Sequence, residues 1–302
     1  MKSPILFIIF NRPDLAATTF KIIRQYQPDK LYIAADGPRP SIPNDKFLCE
    51  TTRDIVLKMI DWSCDVHTFF RSENVGCGRG PSEAISWMFE SEEYGIILED
   101  DCFPLPSFFL FCEQLLCKYK DEENILQING HNPSAFQAEG NTYNFSFYPK
   151  IWGWATWKRA WTLFDFNMDY WPVYRSSRAY LKDFPFLEAL MHRKIWDKYY
   201  KELKTENKPR AWDIQWSVAI FMNRGLCVVP QVNLVRNIGV GVNATNNLYA
   251  SGENQECGEL YFPLVHPKKI ELDKLTNTID SQFYKKGKWN NLKRKIKEFF
   301  YR

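Results

Sequence analysis

Over the first hundred residues, short apolar runs alternate with stretches of helical periodicity. Ile5 to Phe10 is continuously apolar, the pattern of a strand buried on both faces. A helix to about Tyr26 follows, with Asp14 predicted to cap it and Phe20, Ile22 and Ile23 turned inward. The alternation repeats with a strand from Leu31 to Ala35, a helix from about Asp45 to Ile60 and a strand from Asp65 to Phe70. Asn74 to Gly80 reads as a glycine-rich loop, with Pro81 opening a helix that carries Ile85, Met88 and Phe89. The apolar run Gly95-Ile96-Ile97-Leu98 is the fourth strand. Such alternation predicts a parallel sheet with crossover helices. If every crossover is right-handed, Asn11-Arg12, Asp36, the glycine-rich loop and Glu99-Asp100-Asp101 emerge together. They then share the sheet edge where open α/β folds bind ligands.

The texture changes after a helix predicted from Phe108 to Tyr119. From Tyr143 to Trp171, 12 of 29 residues are aromatic. Trp154, Trp157 and Trp161 have the spacing of one helical face, while Tyr148 to Trp154, with Trp152 in it, is irregular enough to form a binding wall. Residues 165 to 210 read as a charged, helical, peripheral insertion. Arg210-Ala211-Trp212-Asp213-Ile214-Gln215-Trp216 opens a helix running to Asn223, and a strand from Leu226 to Val229 follows. Arg236 to Asn247, carrying Gly239 and Gly241, has the glycine content of a flap.

The 302 residues suffice for one large α/β domain. The expected division is a domain over 1–284, with a nucleotide-sugar half to about 130 and an acceptor half beyond it. Eleven Trp, 15 Tyr and 23 Phe offer flat faces on which sugar rings stack, or else an unusually aromatic core. Eight cysteines without CxxC spacing argue against a zinc site and for reduced thiols in a cytoplasmic protein. The apolar start is too short for a signal peptide or a membrane span. The net charge of +3 conceals a tail, 285–302, with eight basic side chains against Glu298. Trp289, Leu292, Ile296, Phe299 and Phe300 make that tail a basic amphipathic helix. It reads equally as a peripheral contact with an anionic membrane and as a terminal helix packing on the domain. No nucleic-acid partner is expected.

Glu99, Asp100 and Asp101 concentrate negative charge at a strand end and call for a cation, with Mg²⁺ or Mn²⁺ bridging to a diphosphate as the fitting chemistry. The glycine-rich segment lacks the Gly-Lys-Ser/Thr ending of a Walker A loop, and no dinucleotide fingerprint follows the first strand, which weakens ATPase and dehydrogenase readings.

Together these motifs resemble the GT-A-fold nucleotide-sugar glycosyltransferases, and among them the α-mannoside N-acetylglucosaminyltransferase I group. The resemblance runs in order from Asn11-Arg12 and Asp36 through Glu99-Asp100-Asp101, Pro106, Phe108 and Phe109. It continues through Gly153-Trp154, Trp161, Trp212-Asp213 and Trp216 to Arg224-Gly225, Cys227, Pro230, Arg236, Gly239 and Gly241. It implies a Rossmann-like, mostly parallel central sheet flanked by helices, with an aromatic-rich acceptor side that includes Trp152 and Trp154. By resemblance Arg12 and Asp36 contact the uridine, Asp101 holds Mn²⁺ or Mg²⁺, and Glu99 and Asp100 contact the donor sugar and ribose. Two departures stand out. No histidine precedes the acidic strand end, where this chain has Gly78-Arg79-Gly80, and the chain begins directly at its first strand.

The function expected is therefore metal-dependent, inverting transfer from a nucleotide-diphosphate sugar, UDP-N-acetylglucosamine by kinship, to a glycan or lipid-linked glycan of a surface polysaccharide. Asp213 is the expected base, Arg79 or Arg236 an assisting cation, and Gly239 and Gly241 the hinge of a closing flap. His266 is a weak further metal candidate. The competing readings are a sugar-nucleotide pyrophosphorylase and a non-enzymatic carbohydrate-binding or membrane-binding module.

Overall fold

The computed structural model describes residues 2–132, 140–205, 211–239, 256–283 and 285. The first strand is β1 (Ile5–Ile9), followed by α1 (Pro13–Tyr26), β2 (Lys30–Ala35), α2 (Asp45–Lys58), β3 (Asp65–Phe70), α3 (Gly76–Ser91) and β4 (Tyr94–Glu99). β5 (Cys102–Pro104), α4 (Pro106–Lys118), β6 (Ile125–Asn129), β7 (Tyr143–Ser146), β8 (Trp154–Trp157) and α5 (Lys158–Trp161) come next. The chain continues through α6 (Trp171–Ser177), α7 (Tyr180–Asp183), α8 (Phe186–Thr205), α9 (Asp213–Met222), β9 (Leu226–Pro230) and β10 (Val235–Asn237).

Eight strands form one sheet in the order β3-β2-β1-β4-β8-β6-β9-β7, and β5 pairs with β10 in a small antiparallel ribbon. β3, β2, β1 and β4 are mutually parallel, as the alternating pattern predicts. β8 runs antiparallel to both β4 and β6, and β7 antiparallel to β9. The architecture is thus α/β with a mostly parallel central sheet flanked by helices. β1 has no polar residue because both of its faces are covered: Phe7 meets Phe20 of α1, while Leu6 belongs to the opposite layer with Ile85 and Met88 of α3.

The tertiary structure overturns four local expectations. Asp14 does not cap α1; Pro13 starts that helix with its pre-set φ, Arg12 stands at the cap position without a side-chain bond, and Asp14 lies in the first turn. The glycine-rich segment from Gly76 is helix rather than loop, and Pro81 falls inside α3. Its start is set from outside by Asp36, whose carboxylate accepts the backbone N–H groups of Val75 (3.0 Å) and Gly76 (2.9 Å) and the side-chain amide of Asn74 (2.9 Å). Trp154 and Trp157 do not share a helical face, because they lie on β8. Three residues apart on a strand means opposite faces: Trp154 stacks on Trp212 in one layer, and Trp157 donates to the Leu116 carbonyl in the other. Finally, the segment beyond 165 is not merely peripheral, since Trp171 and Trp196 are fully buried, with Trp196 packed against Phe221 of α9.

Candidate active site

At the C-terminal edge of the parallel strands, β1 delivers Arg12 and β4 delivers Glu99, Asp100 and Asp101. The cation that these carboxylates call for is in large part already present. The Arg12 guanidinium grips Asp100 through Nη2 and, at 3.3 Å, through Nε, while its Nη1 lies 2.9 Å from Asp101 Oδ2. Asp100 is only 2% exposed, and its backbone carbonyl accepts the hydroxyl of Thr19 from α1 at 2.9 Å. Burial works against the Arg12 charge, but the two aspartates outweigh it and hold its proton more tightly than usual. Arg12 precedes α1 at its cap position, where Pro13 carries the helix start and the arginine side chain turns to Asp100 and Asp101.

Glu99 is half-buried and not bridged by Arg12. Burial, then Asp101 and Asp100, push its carboxyl far above the usual range, to about 8; Arg12 opposes this, and Asp213 adds to it. Asp100 is also raised, chiefly by burial and against the pull of Arg12. Asp213 therefore stands near enough to Glu99 to be felt across more than a hundred residues of sequence. It occupies the first turn of α9, half-buried, directly after buried Trp212.

The chain leaving β10 presses on the same point. Ile238 donates its backbone N–H to the Asp101 carbonyl at 2.8 Å, and Gly239 donates to Asn237 Oδ1 at 2.9 Å. A Cβ at Gly239 would lie 2.5 Å from Asp101 Oδ2 and 3.0 Å from Arg12 Nη1, so the glycine is there for close approach. Gly241, the other expected hinge, lies outside the described residues, as does nearly all of the basic tail.

Other sequence-predicted residues are placed differently. Asp36 is at the right edge, but its oxygens are engaged in capping α3, where Gly37 adds a fourth N–H donor at 2.8 Å. Arg79 pairs with Glu83 at 3.5 Å and stacks over Phe166 at 4.6 Å. Arg236 is exposed on β10 above the Phe103 ring, at 5.4 Å. Trp152 is half-buried beside the His131 ring, at 4.5 Å. Trp154 has 0% exposure at the centre of the sheet, so it belongs to the core and not to an acceptor wall. His266 bonds to the Tyr143 hydroxyl at 2.9 Å and shares a shallow surface cavity with Glu113. Glu113 accepts the Ser3 backbone N–H just before β1 begins, the opposite end of that strand from Asp101.

Sequence reasoning missed Thr19, whose signal was a hydroxyl on the apolar face of α1, and Ile238, which acts through its backbone and leaves no signal. It also missed Cys77 in the first turn of α3, whose thiol pKa is raised first by desolvation and then by Glu99, Asp213 and Asp36.

Among the described residues no group of three or more His, Cys, Asp and Glu side chains forms a metal cage. Asp100 is committed to Arg12, and Asp101 keeps Oδ1, which faces the Cys102 thiol at 3.7 Å. This donor set fits a divalent ion that takes most of its ligands from a bound diphosphate rather than from the protein. It does not fit a resident structural metal.

No family model matches the chain, and no curated protein matches it in sequence. Similar solved structures include HddC from Yersinia pseudotuberculosis, at 8% identity and a TM-score of 0.32 over 56% of this chain and 85% of that one. A UDP-glucose pyrophosphorylase complexed with UDP-glucose is similar at 11% identity and a TM-score of 0.32, covering 54% and 79% of the two chains. Mouse xyloside xylosyltransferase 1 in its apo form is similar at 9% identity and a TM-score of 0.34, covering 73% and 81%. Likeness this loose leaves the functional reading to the site itself.

Proposed function

We propose that this chain is an inverting glycosyltransferase that uses a nucleotide-diphosphate sugar, with UDP-sugars favoured by the resemblance of its motifs. One observation carries the reading: Glu99, next to the arginine-bridged Asp100 and Asp101 at a strand end, feels the charge of a fourth carboxylate, Asp213, that opens a helix in the distant half of the chain. A diphosphate leaving group needs cationic support on one side of the sugar, and an acceptor hydroxyl needs a base on the other.

In this reading Arg12 orients Asp100 and Asp101, and Glu99 meets the donor, while Asp100, buried and held by Arg12, acts through that bridge. Asp101 would hold a divalent ion, which when bound would supply Lewis-acid neutralisation of the departing charge. Asp213 takes the proton of the acceptor hydroxyl as that oxygen attacks the anomeric carbon in line, which inverts its configuration. The N-terminus of α9 favours the charged carboxylate at this position. Gly239, already against Asp101 and Arg12, lets the chain lie close over the donor and exclude water. The acceptor is a glycan or lipid-linked glycan approaching from the side of half-buried Trp152. The pyrophosphorylase alternative loses ground because α1 starts at Pro13, four residues after β1 ends, with no phosphate-cradling loop between them.

Calorimetry of UDP binding tests the assignment. UDP with Mn²⁺ is expected to bind, and Mn²⁺ alone only weakly, since Asp101 offers it too few ligands. Binding indifferent to the metal and to Asp101→Ala would overturn the reading. Gly239→Ala is expected to weaken UDP binding about tenfold or more, because either Asp101 or the glycine's own segment must shift to admit the methyl group. Circular dichroism of that variant should remain native, and unaltered affinity would show that the close approach has no role in donor binding.

A further inference from the structure

We propose that β3 pairs antiparallel with β3 of a second copy of this chain, about a two-fold axis through Thr68, so that one sheet continues into the other. β3 and β7 are the two ends of the eight-stranded sheet, and they end differently. At β7 the Phe145 carbonyl accepts the N–H of Asp273 at 3.0 Å, and Phe147 just beyond donates to Asn277 Oδ1 at 3.0 Å, so that edge is covered. Among the described residues β3 pairs with β2 alone. The N–H groups of Asp65 and Arg71 donate to the Asp29 and Ala35 carbonyls at 2.9 and 3.0 Å. Strand alternation then turns residues 65, 67, 69 and 71 toward β2, and the N–H and C=O groups of Val66, Thr68 and Phe70 outward. No proline, lysine or bulge interrupts β3, although these are the usual means of blunting an edge. Asp65 and Thr68 are exposed and the rest of the strand is half-buried, so the flanking helices leave its edge open.

The sequence of the strand identifies the occupant, because it complements itself when reversed. With the axis at Thr68, Val66 faces the other copy's Phe70 and Thr68 faces Thr68, each such pair exchanging both of its outward hydrogen bonds. Between them His67 faces Phe69, and at the ends Asp65 faces Arg71. β-branched against aromatic, threonine against threonine, ring against ring and acid against base are the cross-strand pairs that stabilise antiparallel sheets. Arg71 is already laid along this face, with its guanidinium 4.4 Å from the Phe69 ring and paired with Glu83, and Asp65 stands exposed beside His67, at 3.1 Å. Neighbouring registers lose these pairs. An axis at Phe69 sets Asp65 against Glu73 and His67 against Arg71, and an axis at His67 sets the two histidines together and leaves Arg71 opposite Ser63. A two-fold contact of this kind is closed, so it stops at two copies. The C-terminal edges of the parallel strands then point in opposite directions, and the two candidate sites open away from each other. The inference does not depend on the transferase reading, and its test uses no catalytic measurement.

The experiment is sedimentation equilibrium of the full chain over a concentration series, with hydrogen exchange followed at low and high concentration. A monomer–dimer equilibrium is expected, with exchange at the amides of Val66, Thr68 and Phe70 slowing as concentration rises. Thr68→Pro should weaken the dimer about tenfold or more, since it removes the central donor from both copies, whereas the outward N–H of Thr68 contributes nothing to pairing with β2. Asp65→Arg should weaken it about threefold by setting like charge against Arg71, and more at low salt. A monomer at every concentration would overturn the proposal and leave the edge to a strand of another protein. So would a dimer in which those three amides exchange at an unchanged rate, which would place the contact elsewhere on the surface. Thr68→Lys, which sets two like charges at the axis from an already exposed side chain, provides the same readout if the proline variant fails to fold.

Discussion

Asp213→Asn is expected to lower the rate of sugar transfer by roughly 10²-fold or more while leaving donor affinity unchanged. The amide keeps the size and the polarity of the carboxylate at the start of α9, so the helix should persist. What it loses is the capacity to take a proton. Asp213 lies on a different part of the chain from the residues that grip the donor in the proposed arrangement, and its influence reaches Glu99 electrostatically. Removing its negative charge should also bring the Glu99 pKa down, because one of the charges that raise it disappears. Comparison of kcat with the donor dissociation constant separates these effects. A loss confined to KM for the acceptor would make Asp213 an acceptor ligand. A rate within a factor of a few of wild type would refute its role as base. Glu99, whose carboxyl is raised to about 8, would then be the next candidate.

Arg12→Met is expected to destabilise the fold by about 3–5 kcal/mol, since it leaves two neighbouring aspartates, one of them fully buried, without their counter-charge. The methionine retains most of the arginine stem, so packing against α1 is largely kept and the loss reports the bridge. Adding Asp100→Leu to that variant should recover much of the loss, because the uncompensated buried charge disappears with its partner. The double variant should nonetheless fail to bind UDP. Chemical denaturation of wild type, single and double variants closes this cycle. A cost below about 1 kcal/mol for Arg12→Met would mean that the bridge behaves as a surface ion pair, and the aspartates would then need another counter-charge.

The frame of this protein was legible because it is carried by periodicity. β3 spans Asp65–Phe70 as the apolar pattern predicts, and β1, β2 and β4 fall within a residue or two of their predicted bounds. The convergence of Arg12 and Glu99-Asp100-Asp101 on one edge followed from strand alternation and crossover handedness alone. The failures came where a local pattern has two physical solutions. Trp154 and Trp157 suit a helix or a strand equally at that spacing, and pairing with β4 and β6 decided for the strand. Glycines before a proline suggest a loop, but an acceptor for the first N–H groups of α3 arrives from Asp36, forty residues earlier, and makes the helix start worthwhile.

What the sequence by itself determined is the parallel half of the sheet, the identity of the residues at its edge and the presence there of excess negative charge. Those depend on near neighbours along the chain and on strand order, which hydrophobic alternation encodes. Only the tertiary structure decided what balances that charge and what sits against it. Arg12 bridges Asp100 and Asp101, Asp36 is a helix cap, Trp154 is core, and Gly239 closes on Asp101 at a distance that no side chain permits. The physical reason is that Coulombic attraction and van der Waals contact fall off with distance through space and not along the chain. Such pairings become visible only when residues 12, 101 and 239 stand side by side.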